Sequence, residues 1–222
     1  MSTHSIHQFA EKVALITDGT SPVGRAVALQ LALNGAYVIV GEPGGSEPDS
    51  AIEELKSLGT LAASVVWDAG SADGPRDLVN KAAERFERID FLINCLKYGG
   101  ESAFLETTAD DIRELMDREI IGACSIIQAA YPWMKERPRA RIVNVLSGVM
   151  PVPDDVANAI LHAAVAAMTG SMAAALPGNF RVNAVTPKGS DAAAPDDIAR
   201  TVLYLLSSEA KAVQGETLGL TG

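Results

Sequence analysis

Short apolar runs rich in strand formers alternate with helical stretches along all 222 residues, and no other feature constrains the fold as much. Strand-like runs fall at residues 13–17 (VALIT), 37–40, 62–67, 91–95 (FLINC), 141–146 (RIVNVL), 181–186 (RVNAVT) and 216–220. Helical spacing of apolar residues fills the intervals at 23–34, 51–58, 77–88, 110–134, 157–176 and 195–206. Gly35 and Gly59 stand where helices stop. A strand–helix–strand order makes neighbouring strands parallel, because the helix returns the chain to the end where the strand began. With right-handed crossovers the result is an α/β fold, a Rossmann-like doubly wound parallel sheet of about seven strands with helices on both faces. Ligands of such sheets bind at the carboxyl ends of the strands. No repeat or linker divides the chain, so residues 1–222 read as one domain, with 1–10 as a flexible tail.

Composition narrows the function. The chain is 48% hydrophobic with few aromatics, which suits helices packed closely on a sheet. A formal charge of −10 repels phosphate backbones, so no nucleic-acid partner is expected. The apolar runs are strand-sized and broken by Gly, Pro or charge, so no membrane span is expected. The opening MSTHSIHQFAEK lacks the apolar stretch of a secretion signal. Cys95 and Cys124 have no metal-ligand spacing and read as free buried thiols. That places the chain in the reducing cytoplasm, with no metal.

The phrases KVALITDGTSPVGRAVALQLALNGAYVIV, FLINC, ARIVNVLS, RVNAVTP and QGETLGLTG, in this order and spacing, resemble the short-chain dehydrogenase/reductase (SDR) family over nearly the whole chain. The resemblance implies an NAD(P)-dependent oxidoreductase fold with a glycine-rich phosphate turn after the first strand. Here Thr17 opens that turn, Asp18 replaces its first glycine, Pro22 replaces its second, and Gly24 alone stays in register. Asp18 brings negative charge towards a pyrophosphate, and Pro22 removes an N–H. Gly19 offers flexibility one place late, and Val23 follows in the same turn. The resemblance assigns Thr17, Gly19, Val23, Gly24, Glu42, Asp68 and Asn94 to a weak or vestigial cofactor site. Glu42 would bond ribose hydroxyls and Asp68 the adenine, so NAD(H), rather than NADP(H), is the expected cofactor if one binds. Asn94 would brace the sheet, and Lys97 stands where the family has a glycine.

The family's chemistry uses a serine, a tyrosine with a lysine four residues on, and a relay asparagine. Ser147 matches the serine, but Asn158 holds the tyrosine position, His162 the lysine position and Glu119 the asparagine position. Asparagine does not titrate, and neutral histidine supplies no fixed positive charge to lower a phenol's pKa. The alternative pair Tyr131 and Lys135 precedes Ser147, at the far end of a helix broken by Pro132. A Ser147–His162 nucleophile pair lacks an elbow motif and an orienting carboxylate. Residues 188–194 are too few for a substrate lid.

By the same resemblance, helices 110–134 and 157–176 would pair across a two-fold axis, with Ala159, Ala163, Ala166, Ala167 and Ala174 at the contact. The C-terminal QGETLGLTG would form a second interface. The expected protein is an SDR-like subunit, impaired or inactive in catalysis. It would act as a homo-oligomer (dimer or tetramer) or as a hetero-oligomer with an active family member. The alternative is a divergent NAD(H)-dependent oxidoreductase acting on a carbonyl or alcohol.

Overall fold

A computed structural model describes residues 8–44, 50–100, 103–148, 155–188 and 193–222. Its strands are β1 (Val13–Ile16), β2 (Tyr37–Pro43), β3 (Ala62–Trp67), β4 (Phe91–Lys97), β5 (Ala140–Ser147), β6 (Phe180–Pro187) and β7 (Thr217–Leu220). They form one sheet in the order β3-β2-β1-β4-β5-β6-β7, and every pairing is parallel. The helices are α1 (Pro22–Leu33), α2 (Ser50–Ser57), α3 (Gly74–Phe86), α4 (Ala109–Met116), α5 (Gly122–Met134), α6 (Val156–Ala175) and α7 (Pro195–Leu206).

The five inner strands are buried on both faces, while the edge strands β3 and β7 are only partly covered, and the period-two alternation sorts the side chains between two cores. Ala14, Ile16, Val38, Val40, Ile93 and Val143 pack under α1 and α7. Val13, Leu15, Ile39, Leu92 and Ile142 pack under α3 and α5. Leu161 and Val165 of α6 join Leu96, Leu146 and Ala184 in a third cluster beside the second. The order reverses between β1 and β4, so the C-terminal ends of these two strands diverge into a crevice.

Three sequence expectations change. The stretch read as one helix over 110–134 is α4, a π-helical turn at Asp117–Ile121, and α5. The extra residue of that turn directs Glu119 into the interior, where it is 4% exposed. The stretch read as a flexible tail over residues 1–10 is packed at Phe9. Phe9 is buried, bonds through its N–H to Asn34 and meets Phe91 edge-on at 5.4 Å, while residues 1–7 lie outside the described part. The third concerns membranes. Among the described residues, α6 is long and apolar enough to cross a bilayer, which the broken apolar runs had argued against. Its Leu161, Val165 and Met168 are packed into the core, as in the core helix of a globular fold.

Candidate functional site

The crevice between β1 and β4 holds about 780 Å3 and is walled by Asp18, Ser21, Lys97, Ser147, Asp155 and Asn158, among others. Its chemistry begins at the turn after β1. Ser21 caps α1 by accepting the Gly24 N–H at 3.1 Å. The Asp18 carboxylate accepts the Ser21 N–H at 3.1 Å and the Thr20 hydroxyl at 2.8 Å, while the Ser21 hydroxyl donates to the Asp18 carbonyl. Pro22 has no N–H to offer. Two of the donors that a helix N-terminus would aim at a phosphate, the Ser21 and Gly24 N–H groups, are therefore engaged by the turn itself.

Lys97 completes this arrangement. Its Nζ lies 3.0 Å from Asp18 Oδ2, across the mouth between β1 and β4. Two of the three residues that stand at family glycine positions thus pair with each other. Sequence reasoning took them one at a time, and only the parallel pairing of β1 with β4 brings them together. The Asp18 side chain is 6% exposed and that of Lys97 is 59% exposed, so the carboxylate depends on the bridge more than the ammonium does. The Lys97 N–H donates to Glu119 Oε2 at 3.1 Å, and Glu119 Oε1 accepts from Arg118 Nε at 2.8 Å. Glu119 therefore anchors the end of β4.

The other cofactor-site residues fall in several places. Thr17 is buried. Its hydroxyl accepts the Cys95 N–H at 3.0 Å, and its carbonyl accepts the Trp67 indole N–H at 3.1 Å. Because β2 lies between β3 and β1, that indole reaches across the end of β2. Gly19 serves close packing, since a Cβ there would come 2.1 Å from Val40 Cγ1. Gly24 does the same work against the strand end, where a Cβ would sit 1.9 Å from the Asp18 carbonyl oxygen. Val23 is buried and borders the crevice. Glu42 lies one residue before the end of β2 but is 8% exposed and outside the crevice wall. Asp68 caps its own turn, accepting the Gly70 N–H at 2.9 Å, and faces a separate depression beside Trp67. Asn94 donates to Asn144 Oδ1 at 2.9 Å, and Asn144 donates to Thr169 Oγ1 at 2.9 Å, tying β4, β5 and α6 together inside the protein. The Cys95 thiol is pushed up to about 12 by burial and by the charge of Asp18, so it stays an inert thiol.

At the catalytic positions, Ser147 ends β5 and donates to the Leu96 carbonyl at 3.2 Å. Asn158 is 2% exposed. Its Oδ1 accepts the Gly99 N–H at 2.7 Å, and its Nδ2 donates to Asp155 Oδ2 at 2.7 Å. Asn158 therefore fastens the segment after β4 to α6. His162 is not paired with Ser147. Its Nδ1 lies 2.8 Å from the Tyr98 hydroxyl, and the two rings stack at 6.5 Å. Burial lowers the His162 pKa, which favours the neutral ring as acceptor. Burial, and secondarily the Asp155 charge, raises the Tyr98 pKa, which keeps the phenol protonated as donor.

Tyr98 and Asp155 are the residues that sequence reasoning missed. Both border the crevice, but Tyr98 follows β4, with α4, α5 and β5 between it and the family's tyrosine position. No spacing rule predicts its meeting with His162. Asp155 had a signal, an acidic residue just ahead of a long helix, and it caps α6 by accepting the Asn158 N–H at 3.2 Å. Tyr131 packs on Phe180 with ring centroids 5.6 Å apart, away from the crevice. The expectation of a missing lid falls mostly on residues 189–192, outside the described part.

The profile of the family described as short chain dehydrogenase matches residues 12–201. The chain belongs to this family. Among relatives of the SDR chain is a 3-oxoacyl-(acyl-carrier-protein) reductase of Thermotoga maritima, 28% identical, the match covering 95% of this chain and 96% of that protein. An uncharacterized oxidoreductase of Methylorubrum extorquens is 30% identical, with 95% and 96% covered. A dehydrogenase/reductase from Sinorhizobium meliloti superposes with a TM-score of 0.88 at 25% identity, over 98% of this chain and 96% of that one. A short-chain dehydrogenase from Burkholderia cenocepacia, solved with NADP, gives 0.85 at 24% identity over 99% and 98%. This SDR thus keeps the family's fold over its full described length, while the mouth of its crevice is bridged by its own side chains.

Proposed function

We propose that this SDR chain does not carry out the family's NAD(P)-dependent hydride transfer and serves instead as a structural or regulatory subunit. It would assemble with itself as a dimer or tetramer, or with an active relative. One observation supports this most: the Asp18–Lys97 bridge stands where a dinucleotide's pyrophosphate would enter, and the Ser21 and Gly24 N–H groups are already bonded. A pyrophosphate would have to displace Lys97 from a buried carboxylate and then lie against that carboxylate. The residues present do not fit the group. The exposed side of α6, which includes Ala159, Ile160, Ala163 and Ala167, leaves apolar surface for helix pairing. We place the protein in the cytoplasm, where its free thiols suit reducing conditions.

A second reading rests on the Tyr98–His162 contact beside Ser147. In a divergent NAD(H)-dependent oxidoreductase, Tyr98 would hold the proton that the family's tyrosine holds, with His162 behind it. Calorimetric titration of the pure chain with NADH and NADPH separates the two. The subunit reading expects no heat at millimolar cofactor and a gain of NADH binding in the Asp18→Gly/Lys97→Gly double variant. Micromolar NADH binding by the unaltered chain, with carbonyl reduction abolished in Tyr98→Phe, establishes the second reading instead.

A further inference from the structure

At the opposite end of the sheet, three arginines gather on β5, β6 and the turn before β5. Arg141 and Arg181 are direct cross-strand partners in the β5–β6 register, and Arg139 lies just upstream. Like charges in that relation repel. Arg141 is 4% exposed, yet it lacks a carboxylate partner among the described residues. Its Nη1 donates to the carbonyls of Ala140 at 3.0 Å and Asn179 at 3.5 Å, and its Nε has no acceptor there. The burial and the charges of Arg181 and Arg139 lower its pKa to about 10.

A cavity of about 280 Å3 opens on this cluster, lined by Arg139, Arg141, Arg181, Asn179, Ser208 and Lys211, with no acidic residue in its wall among the described residues. Asp90, whose carbonyl accepts the Arg141 N–H, has its buried carboxylate committed elsewhere: it accepts from Arg88 at 2.9 and 2.7 Å and from the Val13 N–H at 3.0 Å, and pairs with Lys12 at 3.6 Å. On a chain of formal charge −10, such a pocket is the reverse of the general surface. A buried guanidinium with a spare donor, held beside like charges, is stable when an anion completes it.

We propose that this pocket binds a small phosphate dianion, free or as the end of a phosphomonoester. The guanidinium forks match phosphate oxygens in pairs, and the Lys211 ammonium and Ser208 hydroxyl at the wall add single donors. The site lies at the end of the sheet away from the crevice and is independent of what the crevice does.

The test is calorimetry and thermal melting of the full chain in phosphate-free buffer. Inorganic phosphate and glycerol 3-phosphate are compared with chloride at equal ionic strength. Saturable binding is expected, weakened by about tenfold or more in Arg181→Gln through loss of a charge-assisted contact. The exposed Arg139→Gln serves as a second variant should Arg181→Gln fold poorly. Tighter binding of glycerol 3-phosphate identifies a phosphomonoester as the ligand, and tighter binding of inorganic phosphate identifies the free ion; either supports the site. Phosphate indistinguishable from chloride overturns the proposal. So does an equal response in wild type and both arginine variants, or binding lost in Lys97→Gln but kept in Arg181→Gln, which would put the anion in the crevice.

Discussion

The two ends of the sheet handle charge in opposite ways. At the C-terminal end, Asp18 in the turn after β1 and Lys97 at the end of β4 neutralise each other. At the N-terminal end, Arg141 and Arg181 face one another with like charge and a spare buried donor. In both cases the parallel register decides the encounter. At the crevice it joins opposite charges from the ends of β1 and β4, and the chain supplies its own counter-ion. At the base it aligns equal charges on β5 and β6, and an outside anion is needed. A charged residue's meaning therefore depends on which strand end stands beside it.

Substitutions can break this contrast. The crevice end should be costly to disturb. Gly24→Ala is expected to lower stability most, by about 3 kcal/mol in denaturant unfolding, because an added methyl overpacks the helix against the Asp18 carbonyl. Asn158→Ala should cost about 2 kcal/mol, since the Gly99 N–H and one Asp155 oxygen lose buried partners. Asp18→Asn should cost about 1.5 kcal/mol, because the Ser21 N–H and the Thr20 hydroxyl exchange a carboxylate acceptor for a weaker amide one. At the basic end, Arg181→Gln in phosphate-free buffer should leave the melting temperature unchanged or raise it, because repulsion on Arg141 is relieved. Equal losses for Asp18→Asn and Arg181→Gln would erase the contrast.

The smallest expected effect is a pH dependence. Burial holds the His162 pKa below its ordinary value of 6.5, so just below that pH the unfolded chain binds more protons than the folded one. Stability is then greatest above about 6.5 and declines as pH falls towards the lowered folded pKa. Replacing His162 with Gln should flatten that part of the melting-temperature profile. A profile unchanged by the substitution would show that the ring's burial carries no proton linkage.

The alternation of strands and helices was legible because doubly covered strands leave apolar runs that no turn residue interrupts. Residues 62–67 emerged with their observed bounds because a run of strand formers stops at Asp68, and residues 195–206 because helical apolar spacing opens at Pro195. The π-helical turn at Asp117–Ile121 was not, since inserting a residue into a helix leaves its apolar spacing nearly intact. Phe9 went unread because an isolated aromatic carries no period, although it sits in the core against Phe91. In the site, the replacements at 18, 97, 158 and 162 could be found by position, but their partners could not. Asp18 reaches Lys97, and His162 reaches Tyr98, across separations of chain that only strand pairing closes.

The sequence by itself determined the layered α/β architecture, the family and the identities of the residues around the crevice, because periodicity and motif order are local properties of the chain. The tertiary structure alone decided which of those residues neutralise, cap or bond one another. Electrostatic and hydrogen-bond energies fall off over a few ångströms, and such distances exist only once the strands lie side by side.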